Sequence, residues 1–470
     1  MYLADIHRLD YKGTRLLLNV ESSSLYRIDN LTDDVLSCLA VENHPTDLKP
    51  VEDKYGVEAV QQVLTDLEAA GLLRDKQQRQ NEVIPEEQCN ITNLALNVSH
   101  RCNMRCRYCY GDGGSYGMKS DQMPVSVALA AVDMLMRESG ESKRCSIMFF
   151  GGEPLLNTNT IESCVEYGLK KAKKHGKRLT FSTVTNGTLL SDDMLDFLDR
   201  NRIWAEISID GPKSINDSMR VFGSGKGSYD KIVDGAQRLF ARRPNMVPAR
   251  ATVTHEAPEF LESVKHILQL GFGSVAVDLV SGDGSEWGLN DDDLSIVEDQ
   301  YEKAADYLIK RLKNGDRFEF SSLTEIVELM LCPEKRIYHC GCGKSYLAVA
   351  PAGDIYACHR FVGDWRFRMG NVFVNIDRDV RRRFLHNSVE NREDCRNCWA
   401  RYICGGGCNY QAVLATGGIV KPDSRRCGIT RKIIELGMIV FWELNQENKP
   451  ILDRAAELVR HRRAYRDIVR

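Results

Sequence analysis

Residues 97–114 read NVSHRCNMRCRYCYGDGG and place Cys102, Cys106 and Cys109 directly after a strand-like run, LALNVS (94–99). The C-x3-C-x2-C spacing supplies three thiolates. Structural zinc is closed by four protein ligands and iron–sulfur clusters usually take four thiolates. The triplet therefore leaves one coordination position open, and a cubane held this way has one iron free to hold a small molecule. Tyr108 stands directly before the third cysteine and a polar, glycine-rich loop follows it. The competing reading is a set of buried or zinc-binding cysteines whose fourth ligand lies elsewhere.

Outward from the triplet, strands alternate with helices. The runs LALNVS, CSIMFF, LTFSTVT, WAEISID, ARATVT and SVAVDLV are separated by amphipathic segments such as SVALAAVDMLMRES and EFLESVKHILQLG. Six βα units in series imply an α/β fold built on a parallel sheet, a partial (β/α)6 barrel over residues 86–325. Chemistry in such folds gathers beyond the C-terminal strand ends. The triplet follows the first strand and FFGGEP (149–154) ends the second. Gly151 and Gly152 let the backbone approach a ligand closely, and Glu153 can accept a hydrogen bond from an ammonium group. Asn186, Ser208 and Asp210 end later strands, and Arg220 follows them. The segment from about 291 to 313 opens on three Asp and closes on Lys and Arg, as the helix dipole favours.

A second cysteine array lies further on. Cys342-x10-Gly353-x4-Cys358 is followed by Cys395-x2-Cys398-x5-Cys404-x3-Cys408 and then by Cys427, with Cys340 beside Cys342 and Cys332 close by. Paired C-x2-C units would suit zinc ribbons, but the C-x5-C-x3-C continuation fits them poorly. Cys38, Cys89, Cys145 and Cys164 sit on apolar stretches or near a linker and read as free thiols. Sixteen cysteines in a reducing compartment point to metal ligation more than to disulfides.

The whole chain sets further bounds. Its 470 residues suffice for two or three domains, and 43% hydrophobic content supplies their cores. The net charge of −3 and the absence of a basic stripe argue against nucleic acid as partner. The N-terminus lacks a signal-peptide pattern and no apolar run is long enough to span a bilayer, so a cytoplasmic location without membrane association is expected. Residues 1–85 combine a hairpin around Glu21–Ser24 with helical spacing in LTDDVLSCLAV and VEAVQQVLTDLEAAGLL, which suggests a winged-helix arrangement ending in a polar linker. Residues 431–470 read as a helical tail.

These motifs resemble the radical S-adenosylmethionine (SAM) enzymes with a C-terminal SPASM extension, here over residues 326–430. CNMRCRYCYGDGGSYG, FFGGEPLLN and CGCGKSYLAVAPAGDIYACHRF, together with the seven-cysteine array, are most similar to the thioether-forming peptide maturases, above all those of the quinohemoprotein amine dehydrogenase small subunit. The resemblance implies three [4Fe-4S] clusters and SAM. Cys102, Cys106 and Cys109 would hold the cluster that chelates and cleaves SAM. Cys395, Cys398, Cys404 and Cys427 would hold the second auxiliary cluster, and Cys340, Cys342, Cys358 and Cys408 the first. Tyr108, Gly151, Gly152, Glu153, Asn186, Ser208 and Arg220 would contact SAM, with Asp210 as the base. The partners implied are a Cys-containing peptide or small protein whose leader docks on a winged-helix recognition element, and an external donor such as flavodoxin or ferredoxin. Sulfatase-type formylglycine maturation, sactipeptide-type maturation, and a non-catalytic electron-transfer or peptide-binding role are the alternatives.

Overall fold

The computed structural model describes residues 2–40, 47–74, 89–119, 121–244, 246–282, 285–316 and 318–447. The linker expected after residue 74 and the final part of the tail lie outside these. The chain opens with β1 (Tyr2–Leu3) and an antiparallel sheet of β2 (Ile6–Tyr11), β3 (Thr14–Asn19) and β4 (Ser24–Ile28). Helices α1 (Asn30–Leu39), α2 (Lys49–Tyr55) and α3 (Val57–Ala69) follow, and β5 (Leu73–Arg74) pairs with β1. The hairpin expected around Glu21–Ser24 is the β3–β4 pair.

The apolar run of β3, TRLLLN, has a physical reason. Leu17 faces α1 and α3 in a core with Val35, Leu36 and Val60, whereas Leu18 enters a second core with Ile434, Met438 and Tyr402 from the far end of the chain. A strand sandwiched on both faces reads as continuously hydrophobic because neither side-chain row meets water.

Six parallel strands follow in sequential order: β6 (Asn93–Ser99), β7 (Arg144–Gly151), β8 (Arg178–Thr185), β9 (Ile203–Ser208), β10 (Pro248–Val253) and β11 (Ser274–Leu279). Between them run α4 (Val125–Glu138), α5 (Thr158–Lys174), α6 (Asp192–Arg200), α7 (Lys213–Met219), α8 (Tyr229–Arg242) and α9 (Leu261–Leu270). This is the expected βα series. The helix after it, α10 (Asp291–Lys313), is fixed by a capping box in which Asn290 accepts from the Asp293 backbone and Asp293 from that of Asn290.

The sheet continues at both ends. β12 (Glu319–Phe320) adds to β11 and precedes α11 (Ser321–Leu331). On the other side β13 (Tyr346–Val349) pairs in parallel with β6, from Tyr346 opposite Asn93 to Val349 opposite Leu96, and β14 (Asp354–Tyr356) and β15 (Arg368–Asn371) complete ten strands. The cysteine-rich region is thus stitched to the barrel's first strand, which its irregular sequence did not suggest. Short helices follow: α12 (Arg378–Leu385), α13 (Glu393–Arg396), α14 (Arg401–Cys404) and α15 (Asn409–Thr416). The last helix, α16 (Ser424–Glu447), packs on α10 and α11. At Gly437 a Cβ would lie 2.4 Å from that of Ile326, so only glycine permits this approach. The sequence division at 325/326 falls inside α11 and that at 430/431 inside α16, because packing continues across both points. No helix among the described residues is long and apolar enough to cross a membrane.

Candidate active site

The loop after β6 carries the cysteine triplet, and backbone bonds pin it across the barrel mouth. The Arg105 N–H donates to the Val221 carbonyl at 2.7 Å and the Arg107 N–H to that of Met219 at 2.9 Å. The glycines are needed where loop and strand end touch. A Cβ on Gly152 would lie 2.4 Å from the Arg101 carbonyl oxygen, and one on Gly114 would lie 2.7 Å from Gly152 Cα. The result is a cavity of about 230 Å³ whose wall includes Cys102, Cys106, Cys109, Tyr108, Gly151, Gly152, Asn186, Ser208 and Arg220. Nine residues predicted from separate stretches therefore converge on one space.

Glu153 and Asp210 stand behind that wall. The Glu153 carboxylate accepts from the backbone N–H of Asn186 (2.8 Å) and Leu155 (3.1 Å) and from the Thr185 hydroxyl (2.9 Å). Burial pushes it up to about 7, against the pull of those donors. It fastens the end of β7 to that of β8 and so positions Asn186, whose amide nitrogen lies 3.8 Å from Cys102 Sγ. Asp210 accepts from the Tyr108 hydroxyl (2.6 Å) and the Thr252 N–H (3.0 Å). Burial raises it as well, opposed by Arg220 and Tyr108. With both oxygens engaged and no face on the cavity, Asp210 does not occupy the place expected of a base; it anchors Tyr108. Arg220 in turn donates to the Tyr108 oxygen at 2.7 Å, leaving its buried Nε without a partner.

The thiols themselves indicate what the site accepts. Burial pushes Cys106 up to about 12 and also raises Cys102, so neither ionises alone near neutrality. A bound cationic centre would make them thiolates. Elsewhere the thiols differ among themselves: burial raises Cys408 and Cys427, whereas at Cys404 burial is outweighed by His339, which holds the thiol below its ordinary value. Cys395, Cys398, Cys404 and Cys427 ring a cavity of about 260 Å³, with Cys427 pushed up to about 11 by burial. A cavity of about 920 Å³ between barrel and C-terminal region has Cys340, Cys358, Cys404, Cys408 and Cys427 in its wall. Cys342 is buried beside Cys340 and Cys358, all three free thiols. Among the described residues no three His, Cys, Asp or Glu side chains close on a single ion; the thiols surround cavities, an arrangement that fits clusters. Cys332 is exposed at the end of α11, away from these cavities.

Several lumen residues were not singled out from the sequence. Arg250 donates to Glu206 at 2.7 Å and also to Asp278. Burial would raise Asp278, but Arg250 and Arg360 hold it below its ordinary value. Arg250, Asp278, His359 and Arg360 line both the triplet cavity and the larger one, which share that wall. The available signal was a charge in the middle of an otherwise apolar strand, in WAEISID, ARATVT and SVAVDLV alike.

The N-terminal module is bonded to the wall of the four-thiol cavity. Arg401, in that cavity's wall, donates to Asp5 (2.5 Å) and Glu21 (2.8 Å). The His7 ring stacks on Trp399 with centroids 3.6 Å apart, and its Nε2 lies 2.8 Å from Glu435.

Comparison with known proteins agrees with this geometry. Residues 96–277 match the model of the radical SAM superfamily. The cysteine-type anaerobic sulfatase-maturating enzyme of Clostridium perfringens is 26% identical over 337 residues, 66% of this chain and 86% of that one. The radical SAM cyclopropyl synthase TigE of Paramaledivibacter caminithermalis is 24% identical over 76% of each chain. The subtilosin biosynthesis protein AlbA of Bacillus subtilis is 24% identical over 59% of this chain and 56% of its own. Among solved structures, native anSMEcpe with bound AdoMet superposes with a TM-score of 0.64 at 21% identity, covering 76% of this chain and all of that one. Streptococcus suis SuiB bound to its precursor peptide SuiA gives 0.50 at 16% identity and covers 90% and 99%. With the thiol triplet, the GGEP strand end and the mostly parallel sheet in these positions, residues 96–277 match the radical SAM superfamily, and the chain is similar to the anaerobic sulfatase maturases, TigE and AlbA.

Proposed function

We propose that this protein is a peptide maturase that joins a cysteine sulfur to an Asp or Glu side-chain carbon of the same peptide, with a quinohemoprotein amine dehydrogenase small subunit or a similar Cys-rich chain as substrate. The observation that carries this reading is the adjoining pair of cavities. One has three thiols and an unpartnered Arg220 nitrogen, and the other, about 920 Å³, is bordered by the remaining thiols and has room for a peptide segment.

Cys102, Cys106 and Cys109 would hold a [4Fe-4S] cluster which, with SAM, supplies one-electron hydrogen-abstraction chemistry when bound. Cys395, Cys398, Cys404 and Cys427 would hold a second cluster, and Cys340, Cys342, Cys358 and Cys408 a third. Arg220 suits the SAM carboxylate, held in place by Tyr108 and Asp210. Gly151 and Gly152 bring the β7 end against the ligand, and Glu153 secures Asn186 beside Cys102. The base role expected of Asp210 is not retained. The N-terminal sheet and helices supply an open strand edge for a leader peptide, in keeping with the greater coverage by SuiB, crystallised with its precursor peptide, than by anSMEcpe. A flavodoxin or ferredoxin would serve as donor, and the cytoplasm as location.

Formylglycine formation is the second reading, favoured by the similarity to sulfatase maturases. Anaerobic co-expression with a Cys-containing peptide encoded beside this gene, followed by mass spectrometry, separates the two. A thioether removes one hydrogen from carbon and one from sulfur and leaves the cysteine resistant to alkylation. A product with the cysteine converted to an aldehyde, uncross-linked, would overturn the proposal.

A further inference from the structure

Arg360 occupies an unusual electrostatic position in the lumen. It lies on the segment just after Cys358, with its guanidinium 5.0 Å from the Tyr110 ring centroid and 5.9 Å from that of Tyr410. It lines both the triplet cavity and the larger one. A guanidinium has five N–H donors, and among the described residues one hydrogen bond is made, to the Ser281 hydroxyl at 2.7 Å. The nearest carboxylate oxygen, Asp278 Oδ2, is 3.6 Å away, outside hydrogen-bonding distance. That oxygen is already taken by Arg250, which also holds Glu206.

Two arginines therefore face the common wall in different states. Arg250 is charge-compensated by hydrogen bonds to two acids. Arg360 is oriented by one neutral hydroxyl and two aromatic faces, shares Asp278 with Arg250 only at 3.6 Å, and lines both cavities. Gln411 donates to the same Ser281 oxygen at 2.9 Å, which ties this anchor to α15 and limits its movement. A planar fork held this way matches a carboxylate in bidentate fashion.

We propose that Arg360 captures the side-chain carboxylate of the acidic peptide residue to be modified and holds it at the boundary between the two cavities. The assignment rests on the thioether reading and adds a specificity-determining contact to it. It selects Asp or Glu over Asn or Gln at the reacting position, because the amides leave part of the fork unmatched and bring no charge.

The test uses the anaerobically reconstituted holoenzyme with SAM and two probes, acetyl-Gly-Asp-Gly amide and its Asn counterpart. Phenylglyoxal labelling of Arg360 in the unaltered protein, followed by peptide mass spectrometry, should slow by roughly tenfold with the Asp probe and remain unchanged with the Asn probe. By calorimetry, Arg360→Gln should bind the Asp probe roughly tenfold more weakly, down to the level of the Asn probe, while iron content and SAM binding stay as in the parent. Equal protection by both probes, or a preference for Asp that survives Arg360→Gln, would overturn the proposal. Should Arg360→Gln fail to load iron, labelling of the parent protein decides alone. A carboxylate preference without any cross-linked product would refute the thioether reading and leave this contact standing.

Discussion

Replacing Glu153 by Gln tests the burial of the GGEP carboxylate directly. Glu153 is 0% exposed and sits on three protein donors, yet burial outweighs them and lifts it from 4.5 to about 7. A carboxyl whose folded value exceeds its unfolded one binds more protons in the native state between those values, so its contribution to stability falls as pH rises through that window. At about 1.4 kcal/mol per pH unit, the change from pH 4.5 to just above 7 amounts to about 3 kcal/mol. Gln carries no such proton. The difference in unfolding free energy between the parent and Glu153→Gln should therefore shift by about 3 kcal/mol against the parent over this range. Paired urea titrations of the two proteins, prepared identically at half-unit pH steps, measure it, and other titrating groups cancel in the difference. A difference constant across the range would refute the reasoning, since it would mean Glu153 titrates alike folded and unfolded.

Three further outcomes are expected. Gly152→Ala places a Cβ 2.4 Å from the Arg101 carbonyl oxygen and 3.0 Å from Cys102 Cβ, so the loop must shift; SAM binding by equilibrium dialysis should be lost while the far-UV spectrum is kept. Replacing Cys395 and Cys398 together by Ala should remove about one third of the iron on anaerobic reconstitution, with SAM cleavage surviving and peptide product absent; unchanged iron would count against the four-thiol assignment. Arg401→Met leaves Glu21 and Asp5 facing an apolar side chain, and because Asp5 is half open to solvent the cost should be only about 1–2 kcal/mol, visible as a lower urea midpoint.

The barrel was legible because period-two apolar runs and amphipathic helices recur in strict alternation, and because glycine and cysteine motifs fall where strands end. Asn186 and Ser208 could be placed for the same reason, each lying at a strand end, whereas Tyr108 and Arg220 sit within the connections that follow β6 and β9. Glu153 and Asp210 show what a motif does not contain. Both fall at such ends, but whether a carboxylate faces the cavity or the packing behind it depends on partners such as Thr185 and Thr252, contributed by neighbouring strands. The lumen charges were passed over because Arg250, Asp278 and Glu206 become a group only when three parallel strands are in register. The pairing of β13 with β6 was invisible for a similar reason. It joins segments about 250 residues apart, and four residues carry too little pattern to announce a partner.

The stacking of His7 on Trp399 and the bonds from Arg401 to Asp5 and Glu21 bear on any attempt to retarget this protein by chimera. On the proposal that they read a leader peptide, the first 74 residues invite treatment as an interchangeable cassette. Yet a donor module lacking an acid at each of those two positions would leave Arg401, 3% exposed, without counter-charges beside four thiols. Grafts that keep Asp5, His7 and Glu21 on the inner face and vary the remainder respect the seam. Those that do not would disturb the wall of the four-thiol cavity while intending to change only the N-terminal module.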